Sequence, residues 1–186
     1  MNASKTKQVI CVFCGSKCGT NPHFESTARA LGQYIGKNNF DLVFGGGNTG
    51  LMGIVSQSAL QAGATVTGII PEILLNTETP KENLSKIHIV SNMSERKKMM
   101  SDYADMFIAL PGGIGTYEEV FEVLTNNWLG VFNKPLGFLD VDNFYKNLFC
   151  FFDEAQKNGF IHPECRKLIH YGTSIEDLVR ELKDSI

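Results

Sequence analysis

No apolar run in this chain approaches the ~20 residues that a membrane-spanning helix requires. The opening MNASKTKQVICVFCG lacks the long apolar core of a secretory leader, because its apolar stretch stops at Gly15. Basic charge is not in excess: 17 Lys and Arg face 20 Asp and Glu, for a net charge of −3. A general binder of nucleic-acid polymers needs a basic surface, so that class is excluded, although a local basic pocket is not. The cysteines, Cys11, Cys14, Cys18, Cys150 and Cys165, are odd in number and show no secreted-scaffold spacing. They fit a reducing, cytoplasmic setting. Internal repeats and low-complexity tracts are also missing. What remains is 186 residues, 43% hydrophobic and 20% charged. That is enough for one domain, residues 1–186, with a core that needs no disulfide or metal staples. Residues 1–6 read as a flexible N-terminus.

Short apolar runs alternate with helix-length periodic segments. Residues 8–14, 41–44, 64–70, 87–90, 104–110 and 134–139 read as strands. Residues 22–38, 50–62, 92–102, 115–128, 143–157 and 174–184 read as helices. Pro71 is expected to stop the third strand, and residues 71–86 read as an irregular polar loop. Apolar strands joined by crossover helices predict an α/β fold, a Rossmann-like doubly wound parallel sheet covered on both faces. Ligands of such folds sit at the carboxyl ends of the strands.

Three of those ends carry glycine-rich turns: Cys14 to Thr20, Gly45 to Gly53 and Pro111 to Thr116. Glycine lets the backbone turn several N–H groups toward one anion, and the following helix adds the positive end of its dipole. One such turn is weak evidence, but three at one sheet edge point to a phosphate. None has the spacing of a Walker A loop. Gly45, Gly47 and Gly50 match the dinucleotide spacing, but no acidic residue ends a strand ~20 residues later for a ribose contact. A mononucleotide phosphate suits Gly113, Gly115 and Thr116 better.

Glu118 and Glu119 follow the third turn, where carboxylates favour a helix N-terminus in any case. Glu119 shares a helix face with Thr116, about one sugar's length from a phosphate held in the turn. There a carboxylate can bind ribose hydroxyls and stabilise a cationic sugar, with Glu122 in support. Arg96 lies in an Arg-Lys-Lys run, and spacing leaves it between a solvated face and a site. Lys98 reads as solvated.

The motifs VFCGSKCG, LVFGGGNTGLMG, MSERKKMM and LPGGIGTYEEVFEVLT, followed by KPLGFLDVDNFY, closely resemble the LONELY GUY (LOG) family of cytokinin-activating phosphoribohydrolases, long labelled as possible lysine decarboxylases. The likeness spans roughly residues 8–170, and Pro111 through Glu119 match the signature P-G-G-x-G-T-x-x-E. It implies hydrolysis of the N-glycosidic bond of a nucleoside 5′-monophosphate, AMP or an N6-modified relative, to free base and ribose 5-phosphate. It also implies a homodimer whose partner helps close the site, with no metal or cofactor. Arg96 and Glu119 fall on the catalytic pair. Glu78, Lys97, Gly112, Gly113, Ile114, Gly115, Thr116, Tyr117, Glu118 and Thr125 fall on substrate-binding positions, joined by Ser16, Gly46 and Met93. After the Leu-Thr of this pattern the chain carries Asn126-Asn127-Trp128 in place of the more usual Trp-x-x.

Other readings stay beside this one. A pyridoxal-phosphate decarboxylase needs a Schiff-base lysine and an acid for the pyridine nitrogen, and no lysine here falls in that constellation. A non-catalytic nucleotide-binding module would not need the Arg96–Glu119 pair. A nucleosidase of broader purine or pyrimidine range would. Cys11 and Cys14 form C-x-x-C without a second pair, so they read as packed thiols. His88 is expected on the strand face opposite Ile87 and Ile89, and the aromatic run from Phe144 to Phe152 as core or dimer interface.

Overall fold

A computed structural model describes residues 7–75, 80–81 and 83–186. Its first strand, β1 (Val9–Phe13), is a run of apolar residues paired along both edges, and helices bury both its faces. Side chains alternate across a strand. Ile10 and Val12 therefore enter one core, and Cys11 and Phe13 the other. Helices α1 (Pro22–Lys37) and α2 (Gly50–Gln61) cover the first face, together with α7 (Ile175–Asp184). Helices α3 (Met93–Tyr103), α4 (Ile114–Trp128) and α5 (Lys146–Lys157) cover the second.

The remaining strands are β2 (Asp41–Phe44), β3 (Val66–Pro71), β4 (Lys86–Val90), β5 (Met106–Ala109), β6 (Leu136–Leu139) and β7 (Ile169–Gly172). The sheet order is β4-β3-β2-β1-β5-β6-β7, and every pairing is parallel. The chain winds outward from β1 to β4, then returns to β5 on the other side of β1. This reversal opens a crevice above the carboxyl ends of β1 and β5, where doubly wound folds bind ligands.

Asn21 caps α1, its side chain accepting from the His23 N–H at 2.9 Å, and Pro22 opens the helix. Asn92 caps α3 by accepting from Glu95 N–H at 2.9 Å. Glu95 reaches back to the Ser91 N–H and hydroxyl, which lower its pKa. These bonds fix where α3 starts, and hence where Arg96 emerges.

The structure bears out one boundary and departs from the sequence reading at two places. Pro71 stops β3 as expected, standing as its last residue in register with Val90, where a missing N–H costs least. One 3₁₀ turn (Glu72–Leu74) follows it. Helix α6 (Pro163–Lys167) and β7 escaped the sequence reading, because IHYG has no apolar run and half its residues face out. Edge strand β4 is not covered on both faces: Ile87 and Ile89 are exposed, while His88 faces α3 and meets the Tyr103 hydroxyl at 2.9 Å. Of the aromatic run, Tyr145, Phe149 and Phe152 are core and Phe151 is exposed. Cys11 and Cys14 are buried, and burial followed by the charge of Glu119 raises both thiol pKa values. Among the described residues no helix is long and apolar enough to cross a membrane.

Candidate active site

The three glycine turns are stitched together at Gly15. Its N–H donates to the Pro111 carbonyl at 3.0 Å, and its carbonyl accepts from Leu51 N–H at 3.1 Å. Gly50, at φ +58°, packs so closely that a Cβ there would lie 2.3 Å from the Ser16 carbonyl carbon. Thr116 is buried against the third turn, and a Cβ on Gly112 would stand 2.1 Å from its hydroxyl. Below that turn the buried Tyr145 donates its hydroxyl to the Leu110 carbonyl at 2.6 Å.

Helix α1 has a side-chain cap, but α2 and α4 begin without one, at Thr49 and Gly113. The first N–H groups of a helix have no acceptor within it. Those of α4 start at the edge of a cavity of about 440 Å³ that runs across the switch point. Such an N-terminus suits a phosphate through both its donors and its dipole.

Arg96 and Glu119 meet in the floor of this cavity, 6% and 8% exposed. The Arg96 Nη2 lies 3.7 Å from Glu119 Oε1. Arg96 also donates from Nε to the Ile69 carbonyl at 3.2 Å and from Nη2 to the Gly45 carbonyl at 3.3 Å, and Nη1 lies 3.7 Å from Met93 Sδ. Burying two charges is costly unless each is paired and hydrogen-bonded, and here the carbonyls at the ends of β2 and β3 supply part of that support. Arg96 thus stands buried in the cavity and not on a solvated face.

Ser16, Met93, Gly112, Gly113, Ile114, Gly115 and Thr116 line the same cavity. Gly46 lies behind its wall, at φ +79° against Ile69 and Ile70, and its carbonyl accepts from Lys81 N–H at 2.9 Å. Tyr117 turns inward against Tyr145, ring centroids 6.4 Å apart, and burial raises its phenol pKa. Lys97, Glu118 and Thr125 lie outside the cavity. Lys97 is paired with Glu118 and also with Glu122, so Glu122 supports Lys97 rather than Glu119. Burial alone would lower the Lys97 pKa, but the hydrogen bonds and charges of these two carboxylates carry it above its usual value. Thr125 donates its hydroxyl to the Phe121 carbonyl at 2.7 Å. Glu78 lies outside the described residues.

The cavity also takes in Lys17, Phe24, Leu51 and Met52, which sequence reasoning did not single out, together with Gly45 of the second turn and Phe144, expected only as core or dimer interface. Lys17 carried a signal, a cation inside the first glycine turn. Phe24 and Phe144 carried none, since they are brought edge to face, 5.5 Å between centroids, from segments 120 positions apart. The cavity lysine, Lys17, is exposed at the rim, whereas a Schiff-base enzyme needs its lysine at the reacting carbon. Among the described residues no group of three His, Cys, Asp or Glu could hold a metal ion.

The family model described as "Possible lysine decarboxylase" matches residues 52–182. A cytokinin riboside 5′-monophosphate phosphoribohydrolase of Arabidopsis thaliana is 44% identical over 175 residues, 94% of this chain and 81% of that protein. A probable enzyme of the same name from Oryza sativa subsp. japonica is 42% identical over 174 residues, 94% of this chain and 78% of that protein. Among solved structures, a molybdenum cofactor binding protein from Rippkaea orientalis superposes with TM-score 0.72 at 25% identity, covering 97% of this chain and 98% of that one. The molybdenum cofactor carrier protein from Chlamydomonas reinhardtii gives TM-score 0.73 at 21% identity, over 96% of this chain and 97% of that one. That likeness shows a shared fold.

Proposed function

The chain belongs to the possible lysine decarboxylase family, alongside its cytokinin riboside 5′-monophosphate phosphoribohydrolases, and from this we propose that it hydrolyses the N-glycosidic bond of an adenosine 5′-monophosphate, N6-modified in its cytokinin form, to free base and ribose 5-phosphate. The observation that carries the reading is the buried Arg96–Glu119 pair, 3.7 Å apart, with Glu119 about one and a half turns into a helix whose N-terminus has no side-chain cap. The glycine turn and the first amides of α4 hold the 5′-phosphate, with Lys17 adding charge at the rim. That binding energy orients the sugar rather than breaking a bond. Cleavage proceeds through an oxocarbenium-like ribose. Glu119 faces the developing positive charge, binds ribose hydroxyls and positions the attacking water. Arg96 hydrogen-bonds the departing purine. A guanidinium does not give up its proton, so Arg96 works by electrostatic stabilisation.

The same reading makes the protein a cytoplasmic homodimer. Glu118, Phe121, Glu122 and Thr125 follow helical spacing along one stripe of α4, with Lys97 salt-bridged to it. This stripe leads to Trp128, Leu129 and Val131, all exposed, and Phe151 of α5 is exposed as well. A second copy docked there covers the apolar side chains and brings Lys97 and Thr125 toward a neighbouring cavity. That accounts for family substrate positions lying outside their own. The carrier-like reading suggested by the fold neighbours gives a buried guanidinium and carboxylate no task.

The test is to incubate the purified protein with isopentenyladenosine 5′-monophosphate, AMP and the unphosphorylated riboside, and to measure ribose 5-phosphate and free base. Cleavage of the monophosphates and not of the riboside is expected. Release from the riboside at an equal rate, or from none of the three, overturns the proposal.

A further inference from the structure

Backbone conformation does not demand every glycine of the second glycine turn. Gly46 and Gly50 adopt φ +79° and +58°, where other residues are strained, but Gly45 lies outside that region. Space is what Gly45 provides. A Cβ at this position would stand 2.0 Å from Arg96 Nη2 and 3.2 Å from both Arg96 Cζ and Met52 Sδ. The guanidinium passes directly over the Gly45 α-carbon, and from there Nη2 reaches the Gly45 carbonyl at 3.3 Å and Glu119 at 3.7 Å.

Resting on the hydrolase reading above, we propose that Gly45 is a positioning residue for catalysis: its missing side chain is the seat of the Arg96 guanidinium, and it sets where that charge meets the leaving base. The clash made by a methyl group falls on the far end of a flexible side chain, not on backbone, so the turn can keep its path. What moves is Nη2, away from the Gly45 carbonyl and Glu119 together. The phosphate donors of α4 and the third turn belong to other segments and stay in place. Gly45 therefore acts on turnover and not on nucleotide binding, although it stands in a glycine turn whose usual reading is phosphate contact.

The experiment compares Gly45→Ala in two backgrounds, the natural chain and Arg96→Lys, whose ammonium has no Nη2 to collide with. A misplacement of ~1 Å costs on the order of 100-fold in rate. In the natural chain, Gly45→Ala should lower kcat by about that factor with KM changed less than about threefold. It should also lower the melting temperature. In the Arg96→Lys background, it should change residual kcat by less than about twofold and leave the melting temperature where Arg96→Lys alone puts it, because the two sites act as one. A Gly45→Ala protein with full kcat, a rise in KM in place of the fall in kcat, or equal losses in both backgrounds overturns the seat. If the natural chain cleaves no nucleotide, the hydrolase reading falls. The melting cycle then still decides the seat: a loss confined to the Arg96 background supports it, and an equal loss in both refutes it.

Discussion

Replacing Glu119 with glutamine removes one charge and almost no volume, which isolates the electrostatic role assigned to it. A carboxylate ~4 Å from a cationic sugar, at an effective dielectric constant of ~20, is worth ~4 kcal/mol. At ~1.4 kcal/mol per decade this is a ~1000-fold loss in kcat. KM should change less than about threefold, since the phosphate donors lie elsewhere and the interaction is made mainly in the transition state. Stability moves as well. Removing one partner of a buried ion pair costs ~3–5 kcal/mol. Arg96 keeps the Ile69 and Gly45 carbonyls, so the low end applies, about 3 kcal/mol. For a chain of this length that is a fall of ~6–12 °C in Tm. Ribose 5-phosphate release under saturating nucleotide gives kcat, and calorimetry gives Tm. A Glu119→Gln enzyme within tenfold of the natural rate would show that the carboxylate does not face the developing charge. An unchanged Tm would show that the pair does not bear on the fold.

Phe121→Glu places a charge in the middle of the exposed α4 stripe. It should halve the mass seen by sedimentation and lower turnover with the cavity's own residues untouched, and a full-rate dimer would refute the docking face. Tyr145→Phe deletes the hydroxyl that donates to Leu110 and leaves a buried carbonyl unsatisfied, at a cost of ~1–2 kcal/mol. Calorimetry should show a Tm lower by ~2–8 °C. Asp142 has its pKa lowered by hydrogen bonds from Asn21 first and His23 second, at 2.7 and 2.6 Å. A depressed folded pKa gives stability that is present above the ordinary aspartate value and lost as pH falls through the folded one. Asn21→Ala should raise the Asp142 pKa toward that ordinary value, so NMR titration should show the carboxyl protonating at higher pH. No movement would mean that His23 alone holds it.

Local signals in the sequence carried the outline of the fold and missed its margins. Strands β1, β2 and β5 announce themselves because both their faces are buried, which requires unbroken apolar runs. Strand β7 does not, since an edge strand of four residues with His170 and Tyr171 half outside has nothing periodic to show. In β4 the alternation of Ile87, His88 and Ile89 was legible, but which face turns inward was not. Alternation fixes opposite faces and says nothing of which one a helix covers. Arg96 shows the same limit within the site. In sequence it belongs to a charge run between methionines, and its burial depends on carbonyls contributed by Gly45 and Ile69, 51 and 27 positions away.

That dependence bears on how the site divides its work. In the proposed site, phosphate recognition is written locally, because a glycine turn and the first turn of a helix are contiguous: Pro111 through Thr116 span both. Charge placement cannot be written so. A guanidinium and a carboxylate held below a tenth exposed need acceptors that a single helix does not supply to its own side chains. Helix α3 therefore sends Arg96 beneath the ends of β2 and β3, while α4 sends Glu119 down from the phosphate turn. The two helices stand side by side on one face of the sheet, and the chain reversal puts β1 between their strands. A substitution in the third turn should thus weaken nucleotide binding first. One that shifts α3 against β2 should spare binding and stop turnover. In the proposed site, mutation should separate phosphate binding at the third turn from the placement of Arg96, because the ends of β2 and β3 hold only the guanidinium.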